Sequence, residues 1–266
     1  MKCTRVSVIL FAQLCLLLPS PGGAVDLPEL IQRIRPGVVG VGTAYPPRQP
    51  VIKGQRAVYL ATGFVVGNGL QVVTNAHVTA VPLDVENHQT LAIFSGHGAT
   101  ATVHEVRSVR RDEEHDLAIL EIAGPELPAL TLGNSDLVRE GQDIAFTGFP
   151  IGMALGLYPV THRGIVSAIT PAAQPTVDAR ELSSKKISRM RNGFDAFQLD
   201  ATAYPGNSGS PLFELERGQV VGVINSVVVK ETRESMFVSP SGCLRSAAKY
   251  IRRCLRIIEG APINGG

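Results

Sequence analysis

An all-β protein, folded as a barrel or sandwich, is the class that three features of this sequence favour. Short valine-rich runs recur along the chain, glycine and proline punctuate them, and helical periodicity is confined to two segments near the ends. Aromatic residues are scarce and tryptophan is absent, so the core must be built mainly from aliphatic side chains.

The chain has 266 residues, 44% of them hydrophobic, which suits one folded unit or two small halves sharing an interface. A formal charge of +2 gives little reason to expect nucleic acid as a partner. At the N-terminus Lys2 and Arg5 precede an apolar run from Val6 to Leu18, and small residues follow at Gly22 and Ala24. Charged region, hydrophobic region and cleavage site together predict a secretory signal over residues 1–24, and so export to periplasm or medium. The run is short of the about 20 apolar residues that a membrane helix needs, so no stable span is expected after its removal.

Cys3 and Cys15 would leave with the signal, and Cys243 and Cys254 remain. On one helix these two would lie about 16 Å apart along the axis, beyond the about 7 Å that a disulfide tolerates. The spacing therefore argues against an internal bridge.

Leu27, Leu30, Ile31 and Ile34 have helical spacing and stop before Pro36, which predicts a short amphipathic helix. Strands then follow in GVVGVGT, AVYLATGFVV, LQVVTNA, TLAIF, ATVHEV and LAILEI, with the GNG at 67–69 as a hairpin signal. A second set reads QDIAFTGF, VTHRGIVSAI, AFQLDA, SPLFEL and QVVGVINSVVV. Within the second set, between VTHRGIVSAI and AFQLDA, Pro171 to Asn192 carries Arg180, Lys185, Lys186, Arg189 and Arg191, and reads as a long surface loop. Leu244, Ala247, Ala248, Ile251, Leu255 and Ile258 form a stripe that predicts a terminal helix over about 241–258. Residues 259–266 are a tail.

Three short motifs carry chemistry. A serine hydroxyl is a weak nucleophile and needs a base within hydrogen-bond reach, and that base needs an orienting acceptor. TNAHV supplies His77, HDLAIL supplies Asp116, and GNSGSP supplies Ser208 between glycines. Singly, each is ordinary. Their order, His then Asp then Ser, is that of the chymotrypsin-type triad.

TNAHV, HDLAIL, GNSGSPL, RGIVSAI and MFVSPS together resemble the signatures of trypsin/chymotrypsin-fold serine peptidases, closest to the bacterial HtrA-like (Do-like) proteases. The resemblance covers roughly residues 27–258. It implies two six-stranded antiparallel β-barrels, about 37–135 and about 136–239, within a peptidase domain over 25–258. It further implies that His77 is the general base, Asp116 its orienting acid and Ser208 the nucleophile. The N–H groups of Gly206 and Ser208 would form the oxyanion hole. The substrate side chain would lie against Thr202, Ala203 and Tyr204 before the nucleophile and Asn225, Ser226 and Val227 on a neighbouring strand.

Polypeptides, unfolded or extended, are the implied substrates, with a homo-oligomer left open and no cofactor expected. Glu113, Glu114 and His115 lack a recognised ligand spacing, so no metal site is read there. Strand alternation predicts that His115 faces outward. Asp200 occupies a place where the family also has an acid and is expected to serve in structural hydrogen bonds.

The sequence departs from the family in places. No PDZ domain is expected after the nucleophile, and Ser210 stands where the wider family usually has glycine. No carboxylate is evident near the substrate pocket, which predicts cleavage after small or medium aliphatic residues. Glutamyl endopeptidases share GNSGSP but place a histidine in the pocket strand, and VINSV has none. Trypsin-like zymogens bury a new N-terminal ammonium against an aspartate beside the nucleophile. Here that residue is the neutral Asn207, so no such activation is expected. Two other classes are open to such a sequence. One is a catalytically weak peptidase fold serving as a peptide-binding or chaperone module. The other is a serine esterase, whose Gly-x-Ser-x-Gly elbow GNSGS matches only superficially, since the triad order differs.

Overall fold

The structure, a computed structural model, describes residues 26–46, 58–150, 157–171, 195–228 and 243–246. The expected signal, the interior of the Pro171–Asn192 loop and the tail lie outside the described residues.

Among the described residues, twelve strands form two closed antiparallel barrels. The first holds β1 (Val38–Ala44), β2 (Val58–Val66), β3 (Gln71–Thr74), β4 (Thr90–Ser95), β5 (Thr102–Asp112) and β6 (Leu117–Ile122). They run in the order β1-β2-β3-β6-β5-β4, and β1 pairs β4 to close the ring. The second holds β7 (Asp143–Gly148), β8 (Val160–Pro171), β9 (Asp195–Asp200), β10 (Pro211–Glu214), β11 (Val220–Val228) and β12 (Cys243–Ser246). Its order is β10-β11-β12-β9-β8-β7, closed by β7 against β10.

The unbroken apolar runs seen in the sequence have a structural cause: several strands are buried on both faces. In β6, Leu120 and Ile122 fill the first barrel with Val39, Val41, Val65, Val72 and Ile93. The alternate residues Leu117 and Ile119 point the other way, into a cluster shared with Phe149, Phe213, Val220 and Val223 from the second barrel. A strand with two dry faces has no polar side to alternate with. The second barrel's own interior is Ile144, Phe146, Val166, Phe197, Leu199, Leu212, Val221 and Ile224. This shared cluster sets how the barrels sit, and so where any site between them can form.

The helix α1 (Leu27–Ile34) begins with Pro28 in its first turn, where a missing N–H costs nothing. Leu30 and Ile34, one turn apart, are buried in the shared cluster. Each such aliphatic side chain contributes about 1.5–3 kcal/mol by leaving water.

The terminal helix expected from about 241 is corrected over its first residues. Cys243–Ser246 is β12, paired with β11 on one edge and β9 on the other. The helical spacing of Leu244 and Ala247 is outweighed there, because a strand between two open edges satisfies backbone groups on both sides. Residues 247–258 lie outside the described residues. With Cys243 in a strand, the helix-based spacing argument about Cys243 and Cys254 no longer applies.

Candidate active site

Strand β3 ends at Thr74, and the chain then enters a short 3-10 turn, His77–Thr79. Two contacts lock this turn to the opposite hairpin. Arg111 donates from Nε to Thr79 Oγ1 at 2.6 Å and from Nη2 to the Thr79 carbonyl at 2.8 Å. The Asp116 carbonyl accepts from the Ala76 N–H and from Asn75 Nδ2, at 3.1 and 3.0 Å.

Asp116 sits just before β6 with a φ of +54°, a left-handed conformation that Asp tolerates better than most residues. That bend turns its carboxylate toward the turn bearing His77. Oδ1 accepts the His77 backbone N–H at 2.9 Å, and Oδ2 lies 2.7 Å from Nδ1. An ionised carboxylate only accepts hydrogen bonds, so Nδ1 carries the proton and Nε2 is left as the basic nitrogen. The Asp116 side chain is 8% exposed and that of His77 is 50% exposed, so the pair is sheltered on one side and open on the other.

Ser208 reaches the same seam from the second barrel. Its loop turns tightly, with Asn207 N–H donating to the Tyr204 carbonyl at 3.1 Å and Ser210 N–H to that of Asn207 at 3.0 Å. Gly206 has a φ of +98° and Gly209 one of +84°, both in the region that favours glycine. A side chain at Gly209 would also strike the Thr62 carbonyl and Thr74 Oγ1 of the first barrel. Among the described residues, neither the Gly206 nor the Ser208 N–H has an acceptor, and no hydrogen bond joins Ser208 to His77. The arrangement thus has a polarised imidazole, a hydroxyl on a glycine pedestal and two undonated amides at one seam.

A model of the trypsin-like peptidase domain matches residues 61–223, more than half of the chain. The chain belongs to that family. The peptidase chain is 30% identical to a "probable periplasmic serine endoprotease DegP-like" of Hahella chejuensis over 89% of its length and 50% of the relative. It is 31% identical to the human serine protease HTRA4 over 81% of its length and 39% of that protein. The peptidase chain therefore spans about half the length, or less, of these curated relatives. Among solved structures it is similar to the HtrA-type protease AlgW with decapeptide, with a TM-score of 0.60 at 22% identity over 89% of this chain and 67% of that one. It is also similar to Deg5, with a TM-score of 0.57 at 24% identity over 90% and 94%. At these identities the structural likeness speaks for the fold alone.

The expected pocket residues are partly placed. Ala203 is buried with Ala201 in the second barrel's core, Thr202 and Asn225 are half-buried, and Tyr204 is partly exposed. Ser226 and Val227 lie on β11 opposite Arg245 and Leu244 of β12, and their side chains lie outside the described residues.

Two expectations are corrected. His115 does not face outward: it is buried at 1% exposure, with Nδ1 2.6 Å from Asp112 Oδ2 and its N–H donating to Asp112 Oδ1 at 3.1 Å. Residues 113–116 form a turn, so strand alternation does not apply until Leu117. The Asp200 side chain is exposed and makes no hydrogen bond among the described residues; its backbone serves instead, opposite Ile165.

Two residues escaped the sequence reading. His162 of β8 stacks on Phe146 at 4.9 Å, and its ring lies 5.9 Å from that of Tyr204. Burial pushes its pKa down, so it is held neutral. It lies opposite Phe146 in the β7–β8 register, which no local pattern in the sequence announces. Thr62 of β2 contacts the Ser208 loop, and nothing local in ATGF marks it.

Proposed function

We propose that this chain is an exported serine endopeptidase that hydrolyses peptide bonds of unfolded or extended polypeptides through an acyl-enzyme. His77 takes the proton of Ser208 and returns it to the leaving amine. Asp116 holds the imidazole tautomer and stabilises its charged form. The Gly206 and Ser208 N–H groups receive the developing oxyanion, each donor being worth about 2.7–4 kcal/mol in the transition state. The observation that carries the reading is the double acceptance by Asp116, whose two oxygens accept hydrogen bonds from the His77 backbone N–H and from its Nδ1–H. The signal-like segment 1–24 and a relative described as periplasmic support export.

The test is reaction of the purified chain with a serine-directed fluorophosphonate followed by peptide mapping. Label on Ser208 is expected. A folded chain that binds casein yet takes no label would identify the peptide-binding module instead.

Cleavage is proposed to follow small or medium aliphatic residues such as Val, Ala, Ile or Leu. Ala201 and Ala203 are small and belong to an apolar core, and a Lys or Arg entering such a pocket needs a buried carboxylate. Cleavage-site profiling over a peptide library should therefore return aliphatic residues before the scissile bond. A dominant Lys, Arg or Glu preference would refute this.

Activation by a buried new N-terminus is not proposed. Asn207 is fully buried, and neither Oδ1 nor Nδ2 has a partner among the described residues. An ammonium there would meet no anion, and would give up its proton rather than stay charged. A chain starting at Val25 with an added Met-Gly-Ser extension should be as active as the unextended form. Activity that appears only after a specific internal cut would contradict this.

A further inference from the structure

Thr62 is wholly buried on β2 of the first barrel, yet its bonds lead to the loop of the second. Its N–H donates to the Ser208 carbonyl at 2.9 Å, and its hydroxyl donates to the Gly206 carbonyl at 2.7 Å. The same hydroxyl accepts the Phe149 N–H at 2.9 Å, just after β7. The Thr62 carbonyl in turn accepts from Thr74 Oγ1 at 2.7 Å, three residues before His77.

We propose that Thr62 is a positioning residue that holds the Gly206–Ser208 loop in its catalytic shape and ties it to the barrel carrying His77 and Asp116. This rests on the reading of Ser208 as nucleophile. The geometry explains how. Pinning the carbonyls of Gly206 and Ser208 fixes the peptide planes that flank the Ser208 amide on both sides. The intervening Asn207–Ser208 plane can then rotate little, because each peptide unit is rigid. Because carbonyls are pinned, the Gly206 and Ser208 N–H groups stay free for a substrate oxygen. The hydroxyl has one proton to give and gives it to Gly206, while its lone pair takes Phe149. Its four partners come from three segments that meet only at the inter-barrel seam. In this chain the clamp supplies loop order that a buried ammonium–carboxylate pair cannot, since Asn207 is neutral.

The test compares Thr62→Val, Thr62→Ser and Thr74→Val on labelled casein and with a fluorophosphonate. Thr62→Val keeps the shape but leaves the Gly206 carbonyl and Phe149 N–H unpaired. A fall in kcat of about 100-fold is expected, the order of losing one oxyanion donor, with KM within about twofold. Fluorophosphonate labelling should slow in parallel, and the pH dependence set by His77 should not move, because its pairing with Asp116 is untouched. Thr62→Ser keeps both hydroxyl bonds and should restore kcat to within about threefold. Thr74→Val loosens Thr62 only from behind and should give an intermediate loss. Should Thr62→Val fail to fold, the serine and Thr74 variants decide. Wild-type rates in Thr74→Val, or a Thr62→Ser enzyme slowed 100-fold while folded, would overturn the clamp. A folded Thr62→Val enzyme labelled at the wild-type rate would overturn it too. A wild-type chain that never labels would instead overturn the peptidase reading.

Discussion

Ser208→Ala is expected to lower casein hydrolysis by about a million-fold while the protein stays folded, and His77→Ala should do the same. Nucleophile and base act as one unit, so loss of either removes nearly the whole advantage of the set. Folding should survive. Ser208 makes no side-chain hydrogen bond among the described residues, and half of the His77 side chain is exposed. The two variants are to be compared with wild type by single-turnover casein cleavage and by circular dichroism. Wild-type cleavage by Ser208→Ala would end the assignment. A double variant no slower than either single one would show that the two side chains work together.

Asp116→Asn is expected to lower kcat by about four orders of magnitude with little change in KM. Its Oδ1 could still accept the His77 N–H, so the turn should keep its place. The amide, however, would present donor hydrogens to Nδ1, which would then have to accept. The imidazole proton would move to Nε2, the nitrogen that must take the serine proton, and the base would be lost. Nitrogen NMR of the histidine ring reads the tautomer directly, with Nδ1–H expected in wild type and Nε2–H in the variant. A loss smaller than about tenfold, with the tautomer unchanged, would mean that Asp116 does no more than shape its turn. Its left-handed φ makes that comparison worth including, since Asn adopts the conformation as readily as Asp.

Much of the candidate site was legible because its parts are local strings. TNAHV and GNSGSP announce a residue at a strand end and a residue on a tight turn, and both descriptions hold in the structure. What could not be read was how the strings meet. The Asp116 carboxylate reaches His77 across 39 positions of sequence, through a bend before β6 that composition does not advertise. His115, one residue away, belongs to the turn and not to the strand, so its side chain is buried where strand alternation predicts an outward one. β6 starts only at Leu117, and a shift of one residue reverses a side chain's face.

By itself the sequence determined which segments become strands from β1 to β11, because valine-rich runs between turn residues leave the backbone few other ways to bury them. It also determined the chemical types of the candidate residues: the His77 imidazole, the Asp116 carboxylate, the Ser208 hydroxyl flanked by glycines, and the uncharged Asn207. Tertiary structure alone decided the rest. Cys243–Ser246 became β12 because β9 and β11 offered two open edges, and pairing over such a distance overrides a local helical period. Thr62 gained its place at the Ser208 loop because two barrels pack through one shared apolar cluster, which brings residues 146 positions apart into hydrogen-bond contact. Local patterns report what a residue prefers. Only the packed whole sets which distant backbone groups it must satisfy.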